Sequence, residues 1–510
     1  MRRKILNSLA LLALAGVSLG GQQAPPATEP TIEPFNEIID VRVVNLEAVV
    51  TDGMGERVRG LTAADFRLLV DGREVPIEYF TEVVEGASAT AAQEGSGAAA
   101  PLPPGEAVGR NYLVYVDNSF SVENIRNEIL ERLERDLALL GPEDRMAVLA
   151  FDGHQIEVLS GWTGDRSSLT AALARARSLP SDGNRQLTSQ RALGRDVEWV
   201  MDNSESLEPD EIGLMLDYTS QRTPLEARTQ LGRTADAAAA ALRGFEAPPG
   251  RKVMLLVSGG WSLGVAPRLY APMLEAANRL GYTLYPVDAA QSDARIITAW
   301  DGMAKATGGR AVVSSRLEVF REVVADTGSY YWLGFTPAWK ADDRRRRVTL
   351  EVRRPGLVAR TRSGFSDLSK GTESAMRAES VLFFGGREEE KRLIVQLGDP
   401  KRAGRKQIEV PVTIGIPVTS LALIQDGKGY IAETPLAAAT VDEKGGRSEL
   451  PPMKLRVKVK QAPKAGGYAR FQTTVKLRDI EQRVVFTVHD PVNGGVIWGE
   501  ANVRPQPKQR

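Results

Sequence analysis

Tyr112-Leu113-Val114-Tyr115-Val116-Asp117-Asn118-Ser119-Phe120-Ser121 is an apolar run that ends on an aspartate, with serines two and four residues later. An unbroken Leu/Val/Tyr run bounded by polar residues is the pattern of a parallel strand covered on both faces. From Val122 to Leu140 the period changes to that of a helix, with Ile125, Ile129, Leu133 and Leu137 on one side. The aspartate and both serines therefore fall at the carboxyl end of a central strand, where open α/β sheets place their ligands. One carboxylate and two hydroxyls are hard oxygen donors, suited to Mg²⁺, Ca²⁺ or Mn²⁺. The plainer alternative is a turn in which Asp117 or Ser119 caps the helix.

The flanking sequence supports the α/β reading. Arg145 to Phe151 and Lys252 to Ser258 are further apolar strands, and Gln155 to Leu159 fits an edge partner. Asp165 opens a helix carrying Leu169 and Leu173. Helices over Tyr270–Leu280, Ile296–Thr307 and Leu317–Asp326 alternate with strands over Thr283–Val287, Arg310–Val313 and Tyr330–Phe335. Such alternation implies a mostly parallel sheet with helices on both sides. Between residues 181 and 223 it lapses into a helical insertion, which either covers the top of the sheet or forms a surface hairpin.

Composition narrows the chemistry. The 510 residues suffice for about three domains. Lys+Arg and Asp+Glu are both 65, so charge does not mark nucleic acid or an anionic membrane as the general partner. With no cysteine there is no disulfide, thiolate nucleophile or Cys-bound zinc. His154 and His489 are the only histidines, too few for a multi-histidine metal centre and poor provision for a Ser-His-Asp triad.

Arg2, Arg3 and Lys4, followed by an apolar segment to Leu19 and small residues, read as an export signal over residues 1–20, with a leader over 21–40. The apolar segment is short for a membrane span. The mature chain is expected to be periplasmic or extracellular, with no transmembrane segment. Residues 41–85 read as a small β unit and 86–109 as an Ala/Gly/Pro linker. The α/β domain is placed at 110–366. Within it, Arg344–Arg347, Arg353, Arg354, Arg360 and Arg362 surround two alternating strands, a polyanion site or, better, a solvated edge hairpin. A linker is expected at 367–379. Residues 380–505 carry short alternating strands separated by turns such as Asn493-Gly494-Gly495, the pattern of an immunoglobulin-like β-sandwich.

Strand, Asp117-Asn118-Ser119-Phe120-Ser121 and long helix together resemble the start of a von Willebrand factor type A (vWA) domain. The flanks resemble the VWFA-related exported proteins of acidobacteria, through Val49-Val50-Thr51-Asp52, Gly60-Leu61-Thr62, Asp65-Phe66, Asp71-Gly72, Ala306-Thr307-Gly308-Gly309-Arg310, Ser329 to Pro337, and Arg360 to Phe365. The resemblance spans about residues 41–366. It implies an α/β, doubly wound, vWA/Rossmann-like fold and a metal-ion-dependent adhesion site in which Asp117, Ser119 and Ser121 are ligands. Two family positions differ. Gly259 stands where an aspartate is expected, and no Gly-Gly-Thr-like loop is evident near Pro180–Arg185, Thr188 being the nearest substitute.

The expected function is non-catalytic binding of an unidentified protein ligand, or adhesion, through a degenerate metal site. A metal-independent scaffold in an envelope assembly is the alternative. A serine hydrolase built on Ser258 is the third reading, although Ser258-Gly259-Gly260 lacks the Gly-x-Ser-x-Gly elbow.

Overall fold

The computed structural model describes residues 43–89, 102–185, 225–245, 247–259, 270–290, 294–312, 318–339, 341–385, 388–427, 429–442, 447–460, 466–489 and 496–504. The export signal, the leader, Thr188 and most of the 181–223 insertion lie outside these residues.

The chain is mixed α/β. A five-stranded sheet runs in the order Tyr282–Asp288, Arg251–Ser258, Arg110–Asp117, Arg145–Phe151, Ile156–Thr163. The first four strands are mutually parallel and the last is an antiparallel edge. All eight residues of Arg110–Asp117 are buried. Its alternate side chains feed two cores, which is why the run carries no polar alternation. Tyr112, Val114 and Val116 pack with Ile129 and Leu133 of the helix Glu123–Arg135, Leu169 and Leu173 of Arg166–Ser178, and Val323 of Val319–Gly328. Leu113 and Tyr115 pack on the opposite face with Ala235 and Ala238 of Leu225–Gly244, Met273 of Ala271–Leu280 and Trp300 of Ala294–Ala306. Helices thus cover both faces. Leu225–Gly244 was not anticipated; its buried alanines give a weak hydrophobic period.

The strand Tyr330–Phe335 does not extend the parallel sheet as expected. It lies antiparallel between Val44–Thr51 and Tyr79–Val84. Tyr331, Leu333 and Phe335 alternate into a core with Leu46, Phe66 and Leu68. That core also takes Val348 and Leu350 from Arg345–Val352, which pairs with Phe66–Val70. The N-terminal β unit is therefore completed by residues 330–366. The expected hairpin of Val348–Val352 with Leu357–Arg362 is also absent. Val358–Arg360 pairs with Val49–Thr51 instead, and Arg360 and Arg362 donate to Asp326 and Glu47. Of the expected strand Arg310–Val313, the described residues contribute a parallel bridge of Val312 to Val287.

Two expected linkers carry structure. Ala87–Ser88 pairs with Tyr79–Val84, and Ala107 bridges Ala87. Residues 367–379 lead into the helix Lys370–Phe384, capped by Ser369, whose Oγ accepts the Thr372 amide. Ala378, Val381 and Leu382 of this helix are buried against Val485 and Trp498. Beyond it, two antiparallel sheets share one core that includes Ile408, Val410, Leu436, Leu455, Val475 and Phe486. No helix among the described residues is long and apolar enough to cross a membrane.

Candidate functional site

The loop after the central strand is held from every side, and the sequence explains how. Asp117 is the last strand residue, and its Oδ1 accepts the Ser119 amide at 3.0 Å, a turn closed by the aspartate's own side chain. Neither Asp117 nor Ser119 caps the following helix; its N-cap is Val122, with no side-chain cap. Asn118 takes Phe151 O at 2.8 Å through its amide, and its carbonyl accepts from the Asp182 amide at 2.9 Å. These bonds fix the loop between the neighbouring strand and the segment after Arg166–Ser178.

Arg126 reinforces the same loop. It is fully buried, donates to Asn118 Oδ1 at 2.6 Å, and reaches Arg177 O and Leu179 O at 3.1 and 3.0 Å. Burial lowers its pKa from the ordinary arginine value, with Glu123 opposing. Its planar fork is what lets one side chain hold a loop amide and two helix-end carbonyls together.

Asp117, Ser119 and Ser121 lie at one sheet end, at the close of the strand and in the loop after it, at 0%, 2% and 0% exposure. Their oxygens are engaged by protein. Ser258, from the adjacent parallel strand, donates its hydroxyl to Asp117 Oδ2 at 2.6 Å. Gln230 Nε2 donates to Ser119 Oγ at 3.1 Å, with Gly153 O further off at 3.4 Å. Ser121 Oγ makes a long contact with Val257 O at 3.4 Å, and Ser121 O accepts from Ser181 Oγ. Ser258, considered above as a nucleophile, thus directs its proton at a carboxylate.

Two glycines explain how tightly the loop is packed. A Cβ on Gly259 would overlap the Phe120 carbonyl oxygen, and one on Gly183 would overlap that of Ser121. The position where the vWA pattern carries an aspartate is therefore filled by loop backbone, so no side chain fits there. The donor chemistry at this sheet end suits a hard dication. An ion bound there would share Ser119 Oγ with the Gln230 donor and the Asp117 carboxylate with the Ser258 hydroxyl. No group of three or more His, Cys, Asp or Glu suited to a metal occurs among the described residues.

Gln230, Ser258 and Gly183 complete this arrangement from three separate segments. Ser258 carried a sequence signal in its place after a buried strand, and Gly183 lies in the segment Pro180–Arg185 where the resemblance implied a loop of the site. Gln230 lies on the unanticipated helix Leu225–Gly244, whose other end is tied to the C-terminal part. There Arg243 pairs with Glu379 at 2.9 and 3.0 Å, and Phe245 meets Phe384 edge-on.

No family model matches the chain, and no curated protein matches it. Among solved structures it is similar to the PilB minor pilin from Streptococcus sanguinis, at 8% identity over 56% of this chain and 87% of that one, with a TM-score of 0.26. It is also similar to the SpRpn10 VWA domain (11% identity, 42% and 95% covered, TM-score 0.20) and to the TFIIH p34 N-terminal domain (13%, 42% and 97%, TM-score 0.21). One of these neighbours is thus a VWA domain, at a TM-score too low to carry an argument about this chain.

Proposed function

We propose that this chain is an exported, non-catalytic binding protein of the VWFA-related type, whose ligand surface surrounds Asp117 at the carboxyl end of the parallel sheet. The observation that carries the reading is that Asp117 accepts from Ser119 and Ser258 at one sheet end, in a loop that also carries Ser121. Asp117 would hold a Mg²⁺, Ca²⁺ or Mn²⁺ ion, with Ser119 and Ser121 as hydroxyl ligands. The ion would supply positive charge for a carboxylate-bearing protein ligand. This chain's own residues set the terms: Gln230 and Ser258 compete for the ligand atoms, and Arg126 keeps the loop in register. The C-terminal pair of sheets is read as an immunoglobulin-like sandwich and the first 20 residues as the export signal.

The test is cation-dependent capture. With the binding partner isolated from the exporting cell by crosslinking, capture should require a divalent cation and fail with Asp117→Asn.

A second reading is favoured by a specific observation. The Asp117 carboxylate and the Ser119 hydroxyl already have protein partners, as a metal-free scaffold requires. In that case the same loops would bind a partner without an ion, and chelation would leave capture unchanged.

A further inference from the structure

A cleft of about 400 Å³ lies where three parts of the fold meet, a size and a setting usual for small-ligand sites. The N-terminal β unit supplies Glu47 of Val44–Thr51, which stands opposite Trp332 of Tyr330–Phe335, and Asn45, which stands opposite Gly334. Their neighbours Leu46, Tyr331 and Leu333 point the other way, into the core. A Cβ at position 334 would come within 3.1 Å of Asn45 Oδ1, so the glycine leaves that amide its place. The α/β part supplies Lys252, level with Asn111 and so at the opposite end of the parallel sheet from Asp117. Lys370 and Glu373 come from the first turn of Lys370–Phe384.

The cations of this cleft are all engaged. Arg362 pairs with Glu47 at 3.2 Å, Lys370 with Glu373 at 3.4 Å and Arg279 with Glu275 at 2.8 Å, while Lys252 donates to Leu280 O at 3.2 Å. Asp367 adds a further carboxylate. A ligand carboxylate or phosphate would therefore face Glu47, Glu373 and Asp367, and a ligand ammonium would face Arg362, Lys252 and Lys370. An ion of either sign meets like charge. Hydrogen bonding of both kinds is still on offer. Arg362 gives one N–H to Glu47 and one to Asn278 O at 3.3 Å, which leaves three of its five. Glu47 accepts through Oε2, which leaves Oε1. The exposed Asn45 amide brings donors and an acceptor. Trp332 adds an aromatic side chain whose Nε1 has no acceptor among the described residues.

Neutral hydroxyl groups match this set of partners, and ions do not. A hydroxyl both donates and accepts. Adjacent hydroxyls can thus give protons to Glu47 Oε1 and take N–H from Arg362 while the Glu47–Arg362 pair stays intact. A sugar ring carries such hydroxyls around its rim and an apolar C–H face, which suits an indole with its large apolar surface. We propose that the cleft binds a short, uncharged saccharide, with Trp332 against the ring face and Asn45, Glu47 and Arg362 on the hydroxyls. This site does not depend on a cation at Asp117.

The test is a ligand-observed NMR titration of the full chain with maltose, cellobiose and diacetylchitobiose. At least one should bind with a Kd in the millimolar range or tighter. Asn45→Ala should weaken that binding about fivefold, as for one lost hydrogen bond, with an unchanged melting temperature. Trp332→Leu should abolish it, and Asp117→Asn should leave it as it was. Glucuronate and glucosamine, which put a charge on the ring, should bind more weakly than the best neutral sugar. Binding of none of the disaccharides would overturn the proposal. So would tighter binding of either charged sugar, full affinity in both Asn45→Ala and Trp332→Leu, or loss of binding in Asp117→Asn, which would place the sugar at the other end of the sheet.

Discussion

The Ser258 hydroxyl lies 2.6 Å from Asp117 Oδ2, joining the ends of two adjacent parallel strands through a fully buried pair. Hydrogen bonds to a charged acceptor are the stronger ones, near 1.5–3 kcal/mol. Ser258→Ala should therefore cost about 2 kcal/mol in urea unfolding, while a covalent serine-hydrolase probe should label neither form. Labelling lost in Ser258→Ala would restore the hydrolase reading.

Gly259 makes a prediction that runs against the family pattern. Restoring the expected acid with Gly259→Asp should weaken the fold, because Cβ meets the Phe120 carbonyl and backbone must move. Overpacking of this kind costs about 1–3 kcal/mol or more. A stable Gly259→Asp chain with tighter Mn²⁺ binding would show that the loop yields easily.

Gln230 is the side chain standing at Ser119. Removing a neutral hydrogen bond worth about 1 kcal/mol should tighten Mn²⁺ binding roughly fivefold in Gln230→Ala. Calorimetry on both forms reads this directly; unchanged affinity would mean that Gln230 does not compete with the ion.

Asp326 fastens the parallel sheet to the N-terminal β unit. It accepts from Arg360 Nη2 at 2.7 and 2.8 Å, Arg57 Nη2 at 2.8 Å and the Tyr285 hydroxyl at 2.6 Å. Burial alone raises its pKa, but Arg360 first, then Tyr285 and Arg57, override it and hold the carboxyl below its ordinary value. A lowered folded pKa contributes stability that is fully present above the unfolded value of about 3.9. That contribution is lost as the pH falls from there through the folded value. Asp326→Asn should cost about 1.5–3 kcal/mol at neutral pH, since it removes the charged acceptor of two half-buried arginines. It should also flatten the acid limb of the stability profile below about pH 4; a limb of unchanged slope would mean that other carboxylates dominate it.

The sequence disclosed the pieces whose signal is local. An eight-residue strand covered on both sides announces itself as an apolar run, and Asp117, Ser119 and Ser121 follow from its end. Asp165 was legible as a cap, and its Oδ2 does accept the Ser168 amide at 2.9 Å. Partnership was not legible. Tyr330–Phe335 has the composition of a buried strand in either sheet, and its choice of Val44–Thr51 depends on residues almost 300 positions away. Arg360 and Arg362 read as solvated charges because their acceptors, Asp326 and Glu47, are distant in sequence. The same holds at the site: Gln230 matters only through where the fold brings it.

Divalent-cation dependence of thermal stability tests the central reading most directly. Melting curves of the full chain with millimolar Mg²⁺, Ca²⁺ or Mn²⁺ should shift upward, and Asp117→Asn, which keeps the shape of the side chain, should abolish the shift. No shift in the unaltered chain, or the same shift in Asp117→Asn, would contradict a cation site at Asp117 and leave the metal-free scaffold.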